Sequence, residues 1–161
     1  MSLLTEMHAA DEGADRPGRL GLLLVAAVVA AVFSFLVREV VDADTWWQVA
    51  IGRDILAHGS VPRTDHFAAA ALGRPYHDSH WLFQVLLALV DRLGGMTAVG
   101  ATMILFWSAT LFCTYKAARR WVTPDVASLL VFFAAMACSD RFTPRPDIVT
   151  CLMIALYTLL L

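Results

Sequence analysis

Four long apolar runs alternate with polar stretches along the chain, and their lengths set the first expectations. Leu20 to Val37 is 18 residues without a charge, long enough to cross a hydrocarbon layer of ~30 Å at ~1.5 Å per residue. Met96 to Tyr115 is 20 uncharged residues and ends in Lys116, Arg119 and Arg120. Val122 to Cys138 is a third run, opened by Thr123-Pro124-Asp125, where threonine suits a helix cap and proline the first helical position. The stretch SDRFTPRPD interrupts it, and Ile148 to Leu161 begins a fourth run. A shorter segment, Trp81 to Leu93, would reach only about 20 Å as a helix and stops at Gly94-Gly95, so it is expected to lie at a membrane surface. The pattern predicts an all-α polytopic membrane protein with about four transmembrane helices, near 20–37, 96–115, 122–138 and 148–161. A large first outer loop (38–95), carrying surface helices, and a short one (139–147) complete the membrane domain of residues 20–161. Residues 1–19, polar and acidic, read as a flexible cytoplasmic tail.

Composition agrees with that reading. Of 161 residues, 59% are hydrophobic and 16% charged, against about 45–50% and about 25% in soluble domains. The net charge of −2 leaves no basic footprint for nucleic acid. Cys113, Cys138 and Cys151 sit in apolar segments without CxxC spacing, so they read as small buried hydrophobes, not as a disulfide frame or metal centre. Phosphate-binding glycine patterns of the dinucleotide and P-loop types are absent. Val41-Asp42-Ala43 resembles a signal-peptide cleavage site, but the preceding run exceeds the usual 7–15-residue hydrophobic region, which favours a retained anchor. The chain stops within an apolar run, as an N-terminal piece of a longer protein would.

Orientation follows from Lys and Arg in short loops. KAARR (116–120) is the densest basic site and is expected to be cytoplasmic. If residues 81–93 do not cross, the N-terminal tail with Arg16 and Arg19 is also inside, and both the 38–95 and 139–147 loops face outward. A crossing at 81–93 would put the tail and KAARR on opposite sides, so the charge rule favours four spans over five. It does so although the first outer loop also carries Arg38, Arg53, Arg63, Arg74 and Arg92.

The candidate chemistry lies in residues 42–81, which hold Asp42, Asp44, Asp54, Asp65, Asp78, His58, His66, His77 and His80 between apolar runs. An outer loop with an aspartate just beyond the first span, and a second acidic loop after the third, can converge over one cavity at the membrane level. Asp44-Thr45-Trp46-Trp47, GRDILAHG ending at Gly59, VPRTDHF, LGRPYHDSHWLFQVLLALVDRLGG and RFTPRPDIVT resemble, in order and spacing, the N-terminal module of GT-C glycosyltransferases. The likeness is to bacterial homologues of the protein mannosyltransferase and lipid A aminoarabinose transferase group, and covers about residues 20–161.

That resemblance implies transfer of a sugar from a polyprenyl-phosphate donor to an acceptor outside a bacterial-type inner (plasma) membrane. Membrane lipids and the lipid-linked donor are the implied partners; the acceptor is not implied. Asp44 matches the family's first-loop catalytic base, and Asp147, in Arg145-Pro146-Asp147, its second-loop acid. His80 and Trp81 match the opening of the surface helix, with Asp78-Ser79 where the family has Pro-Pro. Thr45 stands where the family often has Glu, resembling instead an Asp-x-Asp-x-Trp-Trp variant, which leaves a divalent metal as the one cofactor to consider.

The chemistry of such a transfer suits these residue types. A base must take the acceptor's proton, for which Asp44 is the candidate, and Arg141 and Arg145 carry the planar fork that suits a leaving phosphate. Trp46, Trp47 and Trp81 suit the interface, where Trp46 could also support the sugar. Each has a plainer reading. Asp44 could cap a helix over 45–57, the tryptophans could only anchor, and the arginines could only snorkel to headgroups. Asp65 reads as turn chemistry, and His77-Asp78-Ser79-His80 is a weak metal signature without a further fixed ligand. The competing class is a non-catalytic membrane scaffold or partner subunit derived from such an enzyme. A transporter fragment is disfavoured because no charge falls in mid-span.

Overall fold

The computed structural model describes residues 19–37 and 43–161. The tail at 1–18 and residues 38–42, with Arg38, Asp42 and most of the Val41-Asp42-Ala43 triplet, lie outside them. The described part is all-helical: α1 (Arg19–Leu36), α2 (Ala43–His58), α3 (Trp81–Ala118), α4 (Pro124–Ala137), a 3-10 turn (Ser139–Arg141) and α5 (Asp147–Leu160). Within α3 the helix breaks at Gly94 and Gly95, where Gly95 takes φ 64°, ψ −161°. That conformation is open to glycine alone, so residues 81–93 and 96–118 are two helical segments joined by a corner. By length and composition α3 can cross a membrane, while the apolar helices α1, α4 and α5 are shorter.

The chain forms two compact units. Among the described residues, one comprises 19–37, Phe106–Phe142 and Val149–Leu161; the other comprises 43–105 and Thr143–Ile148. In the first, α1 packs on α4, with Val32, Ala127, Val131 and Ala135 buried, and Trp107 meets Phe142 edge-on at 4.7 Å. Large apolar side chains also face outward, among them Leu23, Phe33, Leu130, Phe133, Ile154 and Tyr157. Hydroxyls in these helices fold back on their own backbone: Ser34 onto Ala30 at 2.7 Å, Thr110 onto Phe106 at 2.9 Å and Ser128 onto Pro124 at 2.8 Å. Such back-bonding satisfies the polar atom inside the helix and leaves its surface apolar.

The second unit is built on α2 and the first segment of α3. Thr45, Val49, Gly52 and Ile55 recur at helical spacing and are buried, and so are Phe83, Gln84, Leu87, Ala88 and Asp91 on the other helix. The two approach closely at Gly52, where a Cβ would fall 2.0 Å from the Gln84 carbonyl oxygen. Arg53 holds Asp91 through two of its nitrogens, Nε at 3.0 Å from Oδ2, and the Asp91 side chain is only 5% exposed.

Candidate functional site

Asp44 lies in the first turn of α2. The helix starts at Ala43, so Asp44 stands inside it, and its expected place as the cap of a helix over 45–57 is corrected. From the first turn a carboxylate still faces the positive end of the helix dipole. The next residue, Thr45, is completely buried, and its Oγ1 has no hydrogen-bond partner among the described residues. Thr45, Val49 and Ile51 are buried, whereas Trp46 is exposed and Asp44, although in line with Ile51 and Ile55, is open because it stands at the end of the helix.

Arg145 reaches Asp44 from the far end of the chain. Its Nη2 donates to Asp44 Oδ2 at 3.1 Å, across 101 positions of sequence. The short segment carrying Arg145 is pinned on both sides: Pro144 and Ile148 are among the most fully buried side chains. Two backbone bonds tighten it, Arg145 N to Thr143 O at 2.8 Å and Ile148 N to Arg145 O at 3.2 Å. Both partners are partly open, with side chains 63% exposed for Asp44 and 39% for Arg145. A pair this exposed contributes about 0–1 kcal/mol to stability, so the buried neighbours, not the pair, hold the segment. Asp147 opens α5 two residues on, in its first turn. Asp44, Trp46, His80, Arg145 and Asp147 all belong to the second unit, whereas Arg141, on the 3-10 turn, belongs to the first.

His80 is exposed and starts α3. Its carbonyl accepts the first helical bond, from Gln84 N at 3.1 Å, and its own N–H donates to Asp78 Oδ1 at 2.9 Å. The His77–His80 cluster therefore shapes a helix start. Among the described residues no three His, Cys, Asp or Glu side chains come together as a metal would need.

Asp65 organises the connecting loop. Its Oδ1 accepts from Phe67 N and Ala68 N at 2.8 and 2.9 Å, and these amides, Ala68 first, hold the carboxyl below its usual range. Its own N–H and C=O pair with Arg74 O and Gly73 N at 2.9 and 2.8 Å, closing residues 65–74 on themselves. Gly73 sits at φ 75°, which a side chain would resist. Trp47 packs its ring on Phe67 at 5.6 Å. Beside it, burial pushes the Tyr76 hydroxyl above its ordinary range, with the Asp78 charge adding to the effect and Gln84 and Trp47 opposing it by hydrogen bonding.

Sequence reasoning put Asp44 and Arg145 in loops expected to converge over one cavity but did not foresee their direct ion pair. It missed Gly52 and the Arg53–Asp91 pair, for which the sequence offers no local signal. Compared with protein-family models, curated proteins and solved structures, the chain matches none.

Proposed function

We propose that the chain is the N-terminal module of a polytopic membrane glycosyltransferase of the GT-C type, acting on the outer face of a bacterial-type inner membrane on a polyprenyl-phosphate-linked sugar. One observation carries the reading: Arg145 meets Asp44 at 3.1 Å, so a carboxylate and a guanidinium from opposite ends of the sequence share one open site. In the proposed reaction Asp44 removes the proton of the acceptor's hydroxyl or amine as that atom attacks the anomeric carbon. The bond from the anomeric carbon to the phosphate oxygen breaks, and the phosphate leaves with the electron pair. In this reading Arg145 neutralises that developing charge, with Asp147 near it in sequence and His80 and Trp46 as candidate contacts for the sugar. The outward apolar side chains of α1, α4 and α5 support a membrane setting, because contiguous exposed apolar surface is costly in water. The four-span arrangement with the N-terminus and KAARR cytoplasmic rests, in this reading, on the lengths of the apolar runs and on the distribution of Lys and Arg in the loops.

The experiment is transfer of radiolabelled sugar from polyprenyl-phosphate donors by membranes carrying the longest native form. Asp44→Asn should lower turnover by about 10²–10⁴ with insertion unchanged. Full turnover in that variant would refute the assigned base and reduce the ion pair to a clasp in a non-catalytic subunit.

A further inference from the structure

Outside the proposed site, in the first unit, two cavities share a wall. An apolar groove of about 340 Å³ runs between α1, the second segment of α3 and α4, lined by Val25, Val29, Phe33, Leu111, Phe112 and Val131. Its volume falls within the ~300–1,000 Å³ of sites that enclose small organic ligands. Ser128, the buried hydroxyl on its wall, is committed to Pro124 O at 2.8 Å, and with Ser108 as the other serine in the lining the groove is walled mainly by carbon. Tyr115 lines its end. The same tyrosine lines a second cavity of about 530 Å³, whose other walls are Lys116, Arg119, Arg120 and Leu159. A hydrocarbon slot thus opens beside a pocket with three cations.

The helix end on which that pocket is built is satisfied mostly by backbone bonds. The last carbonyls of α3 are taken by the backbone: Tyr115 O by Arg119 N at 2.9 Å, Ala117 O by Arg120 N at 3.2 Å, and Ala118 O by Trp121 N at 2.9 Å. One Nη of Arg119 caps the turn at Val122 O, 2.7 Å away. Lys116 and Arg120 are exposed. We infer that this pair of cavities is a binding site for one anionic phospholipid, its phosphate among Lys116, Arg119 and Arg120 and an acyl chain in the groove beyond Tyr115. Charge complementarity selects the headgroup and the apolar groove selects the chain. A phosphate alone would leave the groove unused, and a neutral lipid would leave the cations unused. The site shares no residue with the Asp44–Arg145 pair and stands whether or not the chain transfers sugar.

The test is native mass spectrometry of the full chain in an uncharged detergent, titrated with phosphatidylglycerol and with phosphatidylcholine of the same acyl chains. Each cation at an anionic headgroup contributes about fivefold in affinity. Loss of two in Lys116→Gln/Arg120→Gln should therefore lower the preference for phosphatidylglycerol by about twenty-five-fold. Val29→Trp, which fills the groove from α1, should weaken both lipids and keep their ratio. Equal affinity of the wild-type chain for the two lipids would overturn the inference, and so would an unchanged preference in the double variant. Displacement of phosphatidylglycerol by glycerol phosphate as readily as by whole lipid would overturn it in favour of a bare phosphate pocket. Retention of RNA in place of lipid would assign the cations to another partner.

Discussion

Adding a single methyl group at Gly52 tests how the second unit is held together. The Cβ of Gly52→Ala would lie 2.0 Å from the Gln84 carbonyl oxygen, 2.5 Å from its carbon and 2.9 Å from the Ala88 Cβ. Ordinary contact begins near 3.4 Å, so α2 and the first segment of α3 must separate by more than an ångström. Because the obstacle is backbone, no side-chain rotation relieves it. Overpacking costs about 1–3 kcal/mol, and a rigid obstacle places this site at the upper end. Against that, alanine is about 1 kcal/mol better than glycine within a helix. The net expectation is a loss of about 2 kcal/mol. For a chain of 161 residues, that corresponds to a fall in Tm of about 4–8 °C. Thermal unfolding in detergent, followed by near-ultraviolet circular dichroism, measures it, with Gly59→Ala as comparison. Gly59 has φ 65° and nothing within 4 Å of its Cβ, so its substitution meets only the left-handed backbone cost of about 1–2 kcal/mol. A Gly52→Ala chain as stable as wild type, or more stable, would refute the close approach, since the helix-propensity gain would then stand alone.

Removing either partner of the Arg53–Asp91 pair should be unequal in effect. Arg53→Ala strands a carboxylate that is 5% exposed, while Asp91→Asn leaves a guanidinium that is 55% exposed and can hydrate. The first should cost about 1–3 kcal/mol and the second less; denaturant titration giving the reverse order would sink the argument. Asp65, with its folded pKa below the ordinary 3.8, contributes stability that is present above the unfolded value and lost as pH falls through the folded one. Hydrogen exchange at the Phe67 and Ala68 amides should accelerate across that acid window in wild type, and Asp65→Asn should flatten the dependence. Tyr76 works in the opposite sense: its folded pKa is raised from 10.0, so stability falls as pH rises from the unfolded value toward the folded one. Tyr76→Phe should remove that alkaline loss in melts recorded between neutral and strongly basic pH, and an unchanged slope would show that the burial of Tyr76 is not its source.

The helices were legible because apolar runs bounded by proline, glycine and charge leave few alternatives. Thr123-Pro124 marks the start of α4 and Gly94-Gly95 the break in α3 as the sequence suggests. The start of α2 was less legible: a helix beginning at Ala43 makes Asp44 a first-turn residue, and boundary signals discriminate poorly over one or two positions. The pairing of Asp44 with Arg145 was beyond local reading, because its cause is the burial of Pro144 and Ile148, a property of tertiary packing. Gly52 was opaque for a related reason. Glycine inside a helix reads as a propensity cost, and only the neighbouring helix shows what the missing side chain permits.

The pinning of residues 143–148 also bears on the order of biosynthesis. The second unit closes on a segment separated from its main body by residues 106–142. A ribosome adding roughly 5–20 residues per second spends roughly two to seven seconds on that interval. Through it α2 is complete, and the hollow that Pro144 and Ile148 will fill is still open. Arg145 cannot meet Asp44 until the clasp has emerged, so any reactivity of that site begins only after the helix ending at Ala137 has been made.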